Sequence, residues 1–133
     1  ITYCKEKNIK FVVVSNGFDY YIEYYFNLLG LQDVEYHAGK VNFNNSRMHI
    51  DYINYDGRLL QSGFKDAYTE KFLYEGYEII YIGDGMSDLS PAKKCQTVFA
   101  CKSLAERCRQ AGVTFLPFHD FFDVIKHFHA HGI

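Results

Sequence analysis

The chain has 133 residues and a formal net charge of −2, enough length for one domain with a real core. Hydrophobic residues make up 48%, which excludes a disordered chain, and the Lys and Arg residues are scattered, which leaves no footprint for nucleic acid. No apolar run approaches the roughly 20 residues a membrane helix needs, and the first residues lack a signal-peptide pattern, so a cytoplasmic protein with neither membrane nor nucleic-acid partner is expected.

Strand-like and helix-like segments alternate along the chain. Lys10 to Val14 is a short apolar run ending in Ser15-Asn16-Gly17, which reads as a buried parallel strand and a turn. Phe18 to Leu29 carries apolar residues at helical spacing, and Gly30 is placed to cap it. Between Val34 and Leu60, alternation over Met48–Ile53 and the pair Asp56-Gly57 predict a small antiparallel hairpin. Phe64 to Tyr74 reads as a helix closed by Gly76, feeding a strand at 78–82. Ser90-Pro91 resembles an N-cap and first helical residue for Ala92 to Cys95. Thr97 to Ala100 is a predicted strand, Ser103 to Ala111 a helix stopped by Gly112, and Val113 to Leu116 a further strand. A last helix starts near His119 or Asp120. The alternation with short connections predicts an α/β fold with a parallel sheet covered by helices.

Cys4, Cys95, Cys101 and Cys108 form no C-x-x-C pair, and their intervals suit zinc poorly, so reduced thiols are expected. His119, His127, His129 and His131 crowd the end of the chain and read as a solvated helix end with a capacity for adventitious metal binding.

Three polar clusters fall at predicted strand ends, where open α/β sheets keep their ligand crevice. Ser15-Asn16-Gly17 offers a hydroxyl and two amides before a helix, which suits an anion as well as a plain N-cap. Lys65 opens a helix, where a cation opposes the macrodipole; it serves either a site or the solvent. Asp84 and Asp88 flank a glycine-rich turn, Gly83-Asp84-Gly85-Met86-Ser87-Asp88. Such carboxylates are hard ligands of the kind Mg²⁺ shares with a phosphate, and they also cap ordinary loops. A hydroxyl–amide cradle, a lysine and a carboxylate pair are what phosphoryl transfer requires, because positioning and charge neutralisation do most of its work.

Val14-Ser15-Asn16-Gly17, Lys65 and Gly83–Asp88 resemble, in order and spacing, motifs two, three and four of the haloacid dehalogenase superfamily of phosphohydrolases. The resemblance covers essentially the whole chain and implies a Rossmann-like core with a hairpin insertion at about 34–60. Phe99-Ala100-Cys101-Lys102 with Leu104 and Cys108, then Phe115–Phe118 and Asp120-Phe121, resemble the phosphoserine phosphatase-like branch and, within it, phosphatases of the methionine-salvage type. It implies that Ser15, Asn16 and Gly17 bind a phosphoryl group, that Lys65 neutralises it, that Asp84 ligates Mg²⁺ and that Asp88 completes or orients the metal shell. The substrate implied is a small phosphorylated metabolite.

One departure stands out. The family's Asp-x-Asp, whose first carboxylate is the nucleophile and whose second is the general acid and base, occurs nowhere in the sequence. The branch's helical cap is missing with it. The sequence is therefore expected to be the C-terminal part, 1–133, of a longer core. An upstream strand and nucleophile would complete it, and the chain alone would be inactive. The alternative is a non-catalytic domain of the same fold that binds or regulates. A receiver-like signalling domain would need an acidic pair and phosphoacceptor that Ser15-Asn16-Gly17 does not supply. Phe18, Tyr20 and Tyr21 follow the cradle and either face a leaving group or pack in the core.

Overall fold

Three consecutive valines, Val12 to Val14, stiffen the backbone toward extended geometry and seed the first strand, β1 (Val12–Phe18). The computed structural model describes residues 1–133 as two compact units, Ile1–Tyr68 and Thr69–Ile133.

In the first unit a five-residue helix, α1 (Thr2–Glu6), precedes β1. Helix α2 (Asp19–Leu29) follows it, and Gly30 ends α2 at φ 68°. There the Leu31 amide donates to the Phe26 carbonyl at 2.8 Å and the Gly30 amide to that of Asn27 at 3.4 Å, satisfying two carbonyls the helix end would orphan. The chain returns as β2 (Glu35–Asn44), parallel to β1, and turns into β3 (Arg47–Asp51), antiparallel to β2. The sheet order is β1-β2-β3.

The hairpin expected at 34–60 is present, with its tight turn at Asn45-Ser46. Both residues have positive φ, 47° and 61°, the geometry whose twist matches a two-residue hairpin. Asp56-Gly57 makes a second, looser reversal, in which Asn54 donates to the Arg58 carbonyl at 2.9 Å and Ile53 bridges Leu59.

Helix α3 spans Phe64–Tyr74, as the sequence predicts, and the boundary between the units falls within it. Gly76, at φ 88°, closes it. The second unit then builds a parallel sheet, β4 (Ile80–Gly83), β5 (Thr97–Ala100) and β6 (Leu116–Pro117), in that order. A 3₁₀ turn at Met86–Asp88 runs into the short helix α4 (Leu89–Ala92). Ser90 is thus inside the helix rather than its cap. Pro91 stands in the first turn, where no amide proton is needed.

Helix α5 (Lys102–Ala111) ends at Gly112, φ 66°. Helix α6 (Phe121–His131) starts at Asp120, whose carboxylate accepts from the amides of Phe122 at 2.8 Å and Asp123 at 3.2 Å. β5 is apolar on both faces, as a central parallel strand should be. Val98 and Ala100 join Ala92, Leu104, Ala105 and Cys108 in one buried cluster. Phe99 lies 6.2 Å, ring to ring, from Phe128 of α6. No helix is long and apolar enough to cross a membrane.

The four cysteines are free thiols. Cys95 donates to the Pro91 carbonyl at 3.4 Å, and burial, opposed by the nearby Lys94 charge, pushes its thiol up to about 11 from an ordinary 9.0. A folded-state value above the unfolded one gives stability that is whole below pH 9 and drains away as pH climbs through 11. Urea midpoints should therefore fall less between about pH 8 and about pH 10.5 in Cys95→Ser than in the parent chain. Equal falls would remove Cys95 as the cause.

Candidate active site

β4 and β5 run parallel with Gly83 opposite Ala100, so Asp84 and the pair Cys101-Lys102 leave the sheet side by side at its C-terminal edge. The start of α5 is fastened to the loop after β4. The Cys101 amide donates to the Gly83 carbonyl at 3.2 Å, and the Leu104 amide and Ser103 hydroxyl donate to the Asp84 carbonyl at 3.2 and 3.0 Å. The Lys102 ammonium meets the Asp84 carboxylate at 2.8 Å, and both side chains are exposed. That hydrogen bond, with the carboxylate's charge, holds the Lys102 ammonium above its ordinary range. Lys102 does this from φ 47°, a left-handed backbone that costs a residue with a Cβ roughly 1–2 kcal/mol.

Asp88 does different work. It is 2% exposed. One oxygen accepts from the Tyr81 hydroxyl at 2.8 Å, and the other from the amides of Gly85 at 2.8 Å and Asp84 at 3.2 Å. The carboxylate closes the loop from beneath, and Gly83 makes room for it. A Cβ on residue 83 would stand 2.8 Å from the Asp88 carboxyl carbon. Asp84 is therefore presented outward and Asp88 inward, four residues apart.

The residues expected to cradle a phosphate, Ser15–Gly17, are presented differently from the expectation. Val14 pairs with His37 and Phe18 with Gly39. Four steps along β1 thus oppose two along β2, and two extra residues bulge from the ladder. Bulges of this kind re-aim residues beside sites. Ser15, Asn16 and Gly17 accordingly lie in a bulged strand, and α2 begins only at Asp19, so the expected helix N-terminus is not what presents them. The Gly17 amide donates to the Ser15 hydroxyl oxygen at 3.0 Å, which leaves the hydroxyl proton to reach for another acceptor. Tyr21 leans over the bulge: its hydroxyl lies 1.6 Å from where a Cβ on Gly17 would be. Phe18 is half-buried and meets Tyr21 edge-on at 4.9 Å, whereas Tyr20 is exposed.

Lys65 is the second residue of α3 and is half-buried. Tyr52 ties its surroundings to the bulge. The Tyr52 hydroxyl donates to the Asn16 carbonyl, and its ring meets Phe64, the neighbour of Lys65, at 5.2 Å. Gly39 lets the ring pass, since a Cβ there would stand 3.0 Å from it.

Tyr52, Lys102 and Ser103 were not singled out for the site from the sequence. Lys102 belongs to the Phe99–Lys102 stretch that carries the resemblance, but its place beside Asp84, like that of Ser103, follows from the parallel register of β4 and β5. Nothing in the sequence marks Tyr52, which looks like one more alternating strand residue.

As ligands for Mg²⁺, which takes one or two carboxylates and completes its shell with water and phosphate oxygens, the side chains fit in part. Asp84 is outward and accessible, Asp88 is already engaged by three donors, and no group of three or more His, Cys, Asp or Glu gathers.

Curated proteins to which this chain is similar carry a phosphatase name. They include proteins named 2-hydroxy-3-keto-5-methylthiopentenyl-1-phosphate phosphatase from Bacillus thuringiensis (strain Al Hakam) and Bacillus anthracis, each 31% identical over 134 residues. One of the same name from Exiguobacterium sibiricum is 27% identical over 130 residues. The alignments take in 96% of this chain and 59–60% of those proteins, so the chain spans about three-fifths of the length of the curated relatives it matches. No family model matches the chain.

Proposed function

We propose that the chain is part of a Mg²⁺-dependent phosphomonoester hydrolase of the haloacid dehalogenase type. Its substrate would be a small phosphorylated metabolite, with 2-hydroxy-3-keto-5-methylthiopentenyl-1-phosphate the first to try on the strength of the relatives' name. The observation that carries this reading is the loop Gly83–Asp88, which spends one carboxylate on its own backbone and presents the other at the sheet's ligand edge.

In this reading the Ser15 hydroxyl donates to a phosphoryl oxygen, with Asn16 and Gly17 shaping the pocket around it. Lys65 neutralises the same group. Asp84 would ligate Mg²⁺, while Asp88 orients Asp84 through the amides of residues 84 and 85. The ion, when bound, would offset charge on the phosphoryl oxygens. The covalent step falls to an aspartate upstream of Ile1, attacking phosphorus to give an aspartyl-phosphate, with a second aspartate handling the leaving-group proton. The 133 residues by themselves would then be inactive, the C-terminal part of a single core.

The test is hydrolysis of that phosphate ester by the product of the complete gene. An Asp84→Asn variant should lose on the order of 100-fold or more in kcat/KM. Full Mg²⁺-dependent activity in Asp84→Asn would overturn the metal assignment. A complete gene that encodes no upstream Asp-x-Asp would instead favour a non-catalytic binding domain.

A further inference from the structure

We propose that Tyr52 is a positioning residue for the Ser15 hydroxyl, acting through the peptide group between Asn16 and Gly17; this rests on the reading of Ser15 as a donor to the phosphoryl group. The bulge in β1 creates the need. The four steps from Val14 to Phe18 oppose only the two from His37 to Gly39, so the peptide groups between them cannot all follow the ladder. Backbone groups outside a ladder take partners from side chains or water. For the Asn16 carbonyl that partner is a side chain, since the Tyr52 hydroxyl donates to it. Tyr52 is itself held in place. Lys40 faces Asp51 in the antiparallel ladder, so the next position sets Tyr52 against Gly39, the partner of Phe18 in β1. The Tyr52 carbonyl accepts from the Leu60 amide at 2.7 Å, and its ring meets Phe64 at 5.2 Å. A Cβ on residue 39 would stand 3.0 Å from that ring, so glycine there gives the tyrosine its path to the bulge.

From Tyr52 the hydrogen bonds run one way. The chain holds no cis peptide bond, so the Asn16 carbonyl and the Gly17 amide point to opposite sides of a single planar group. Fixing the carbonyl on Tyr52 therefore aims the amide, and that amide donates to the Ser15 hydroxyl oxygen at 3.0 Å. With its oxygen already accepting, Ser15 has its own proton to give outward. Tyr52, the peptide and Ser15 thus form a file of donors of one polarity, in which each bond strengthens the next. Phenylalanine at position 52 would keep the ring contacts and lose the first donor of the file.

The experiment is calorimetric titration of inorganic phosphate into the product of the complete gene, with Mg²⁺ present, for the parent, Tyr52→Phe, Ser15→Ala and the double variant. Tyr52→Phe should weaken binding about three- to tenfold, and Ser15→Ala about tenfold or more. In the Ser15→Ala background, Tyr52→Phe should change affinity less than about twofold, because the file has lost its end. A tyrosine with a purely structural role would lower both backgrounds alike. Parent-like affinity in Tyr52→Phe, or losses that add in the double variant, would overturn the proposal and leave the phosphatase reading standing. Unchanged affinity in Ser15→Ala, or no phosphate binding by the parent, would remove the cradle itself and the role of Tyr52 with it.

Discussion

Replacing Asp88 with alanine should cost the chain about 3 kcal/mol of stability. Three donors converge on that carboxylate, namely the Tyr81 hydroxyl and the amides of Asp84 and Gly85. Asp88 is only 2% exposed, so its removal strips all three of a partner that lies inside the fold. Each stranded donor is worth about 1–3 kcal/mol, and partial rehydration of the loop brings the sum to the lower end. Tyr81→Phe removes one donor and leaves the other two satisfied, so about 1 kcal/mol is expected. The double variant should be less destabilised than the two losses added together, because they share a partner. Urea denaturation of the four proteins completes the cycle. An Asp88→Ala variant as stable as its parent would show that the loop is held by something else, and the inward role of this carboxylate would fall.

Phe99→Ala should be as damaging or more so, about 3–5 kcal/mol. Phe99 is 2% exposed, and its ring fills the space between β5 and α6 against Phe128 and His127. Val98 and Ala100, its neighbours in the strand, belong to the buried cluster with α4 and α5. The strand therefore cannot rotate to refill the void without uncovering that face. A domain is stable by only about 5–15 kcal/mol in all. Phe99→Leu, which keeps most of the volume, should cost less than about 1.5 kcal/mol. A loss below about 1 kcal/mol for the alanine variant would mean that α6 packs loosely on the sheet.

Much of this architecture was legible in the residues. Gly30, Gly76 and Gly112 ended their helices as expected, all at positive φ. The limits of α3 and β5 coincide with the expected ones. The failures share a cause: they depend on tertiary context and not on local pattern. Helix α1 is five residues long and buries nothing, so no apolar period announces it. The Asn45-Ser46 turn lacks the glycine that usually marks such geometry, and Asp56-Gly57 drew attention in its place. Ser90 looked like a cap because Ser-Pro commonly is one. The helix starts earlier because the preceding 3₁₀ turn, drawn tight by Asp88, already points the chain along its axis.

The sequence names candidate residues one by one, and it does not disclose how the fold presents them. A bulge depends on the register of two strands, and register is invisible in either strand alone. The difference matters for Ser15, which the sequence put at a helix start and the structure puts in a strand two residues too long for its partner.

β2 has a double allegiance along its length. Up to Gly39 it follows β1, and from Lys40 it follows β3. An arm built that way can lengthen or shorten by matched pairs at its tip, and the parallel rungs at its base never learn of it. A paired insertion or deletion at the Asn45-Ser46 tip should therefore leave the pairing of the valines and the bulge beneath it in register.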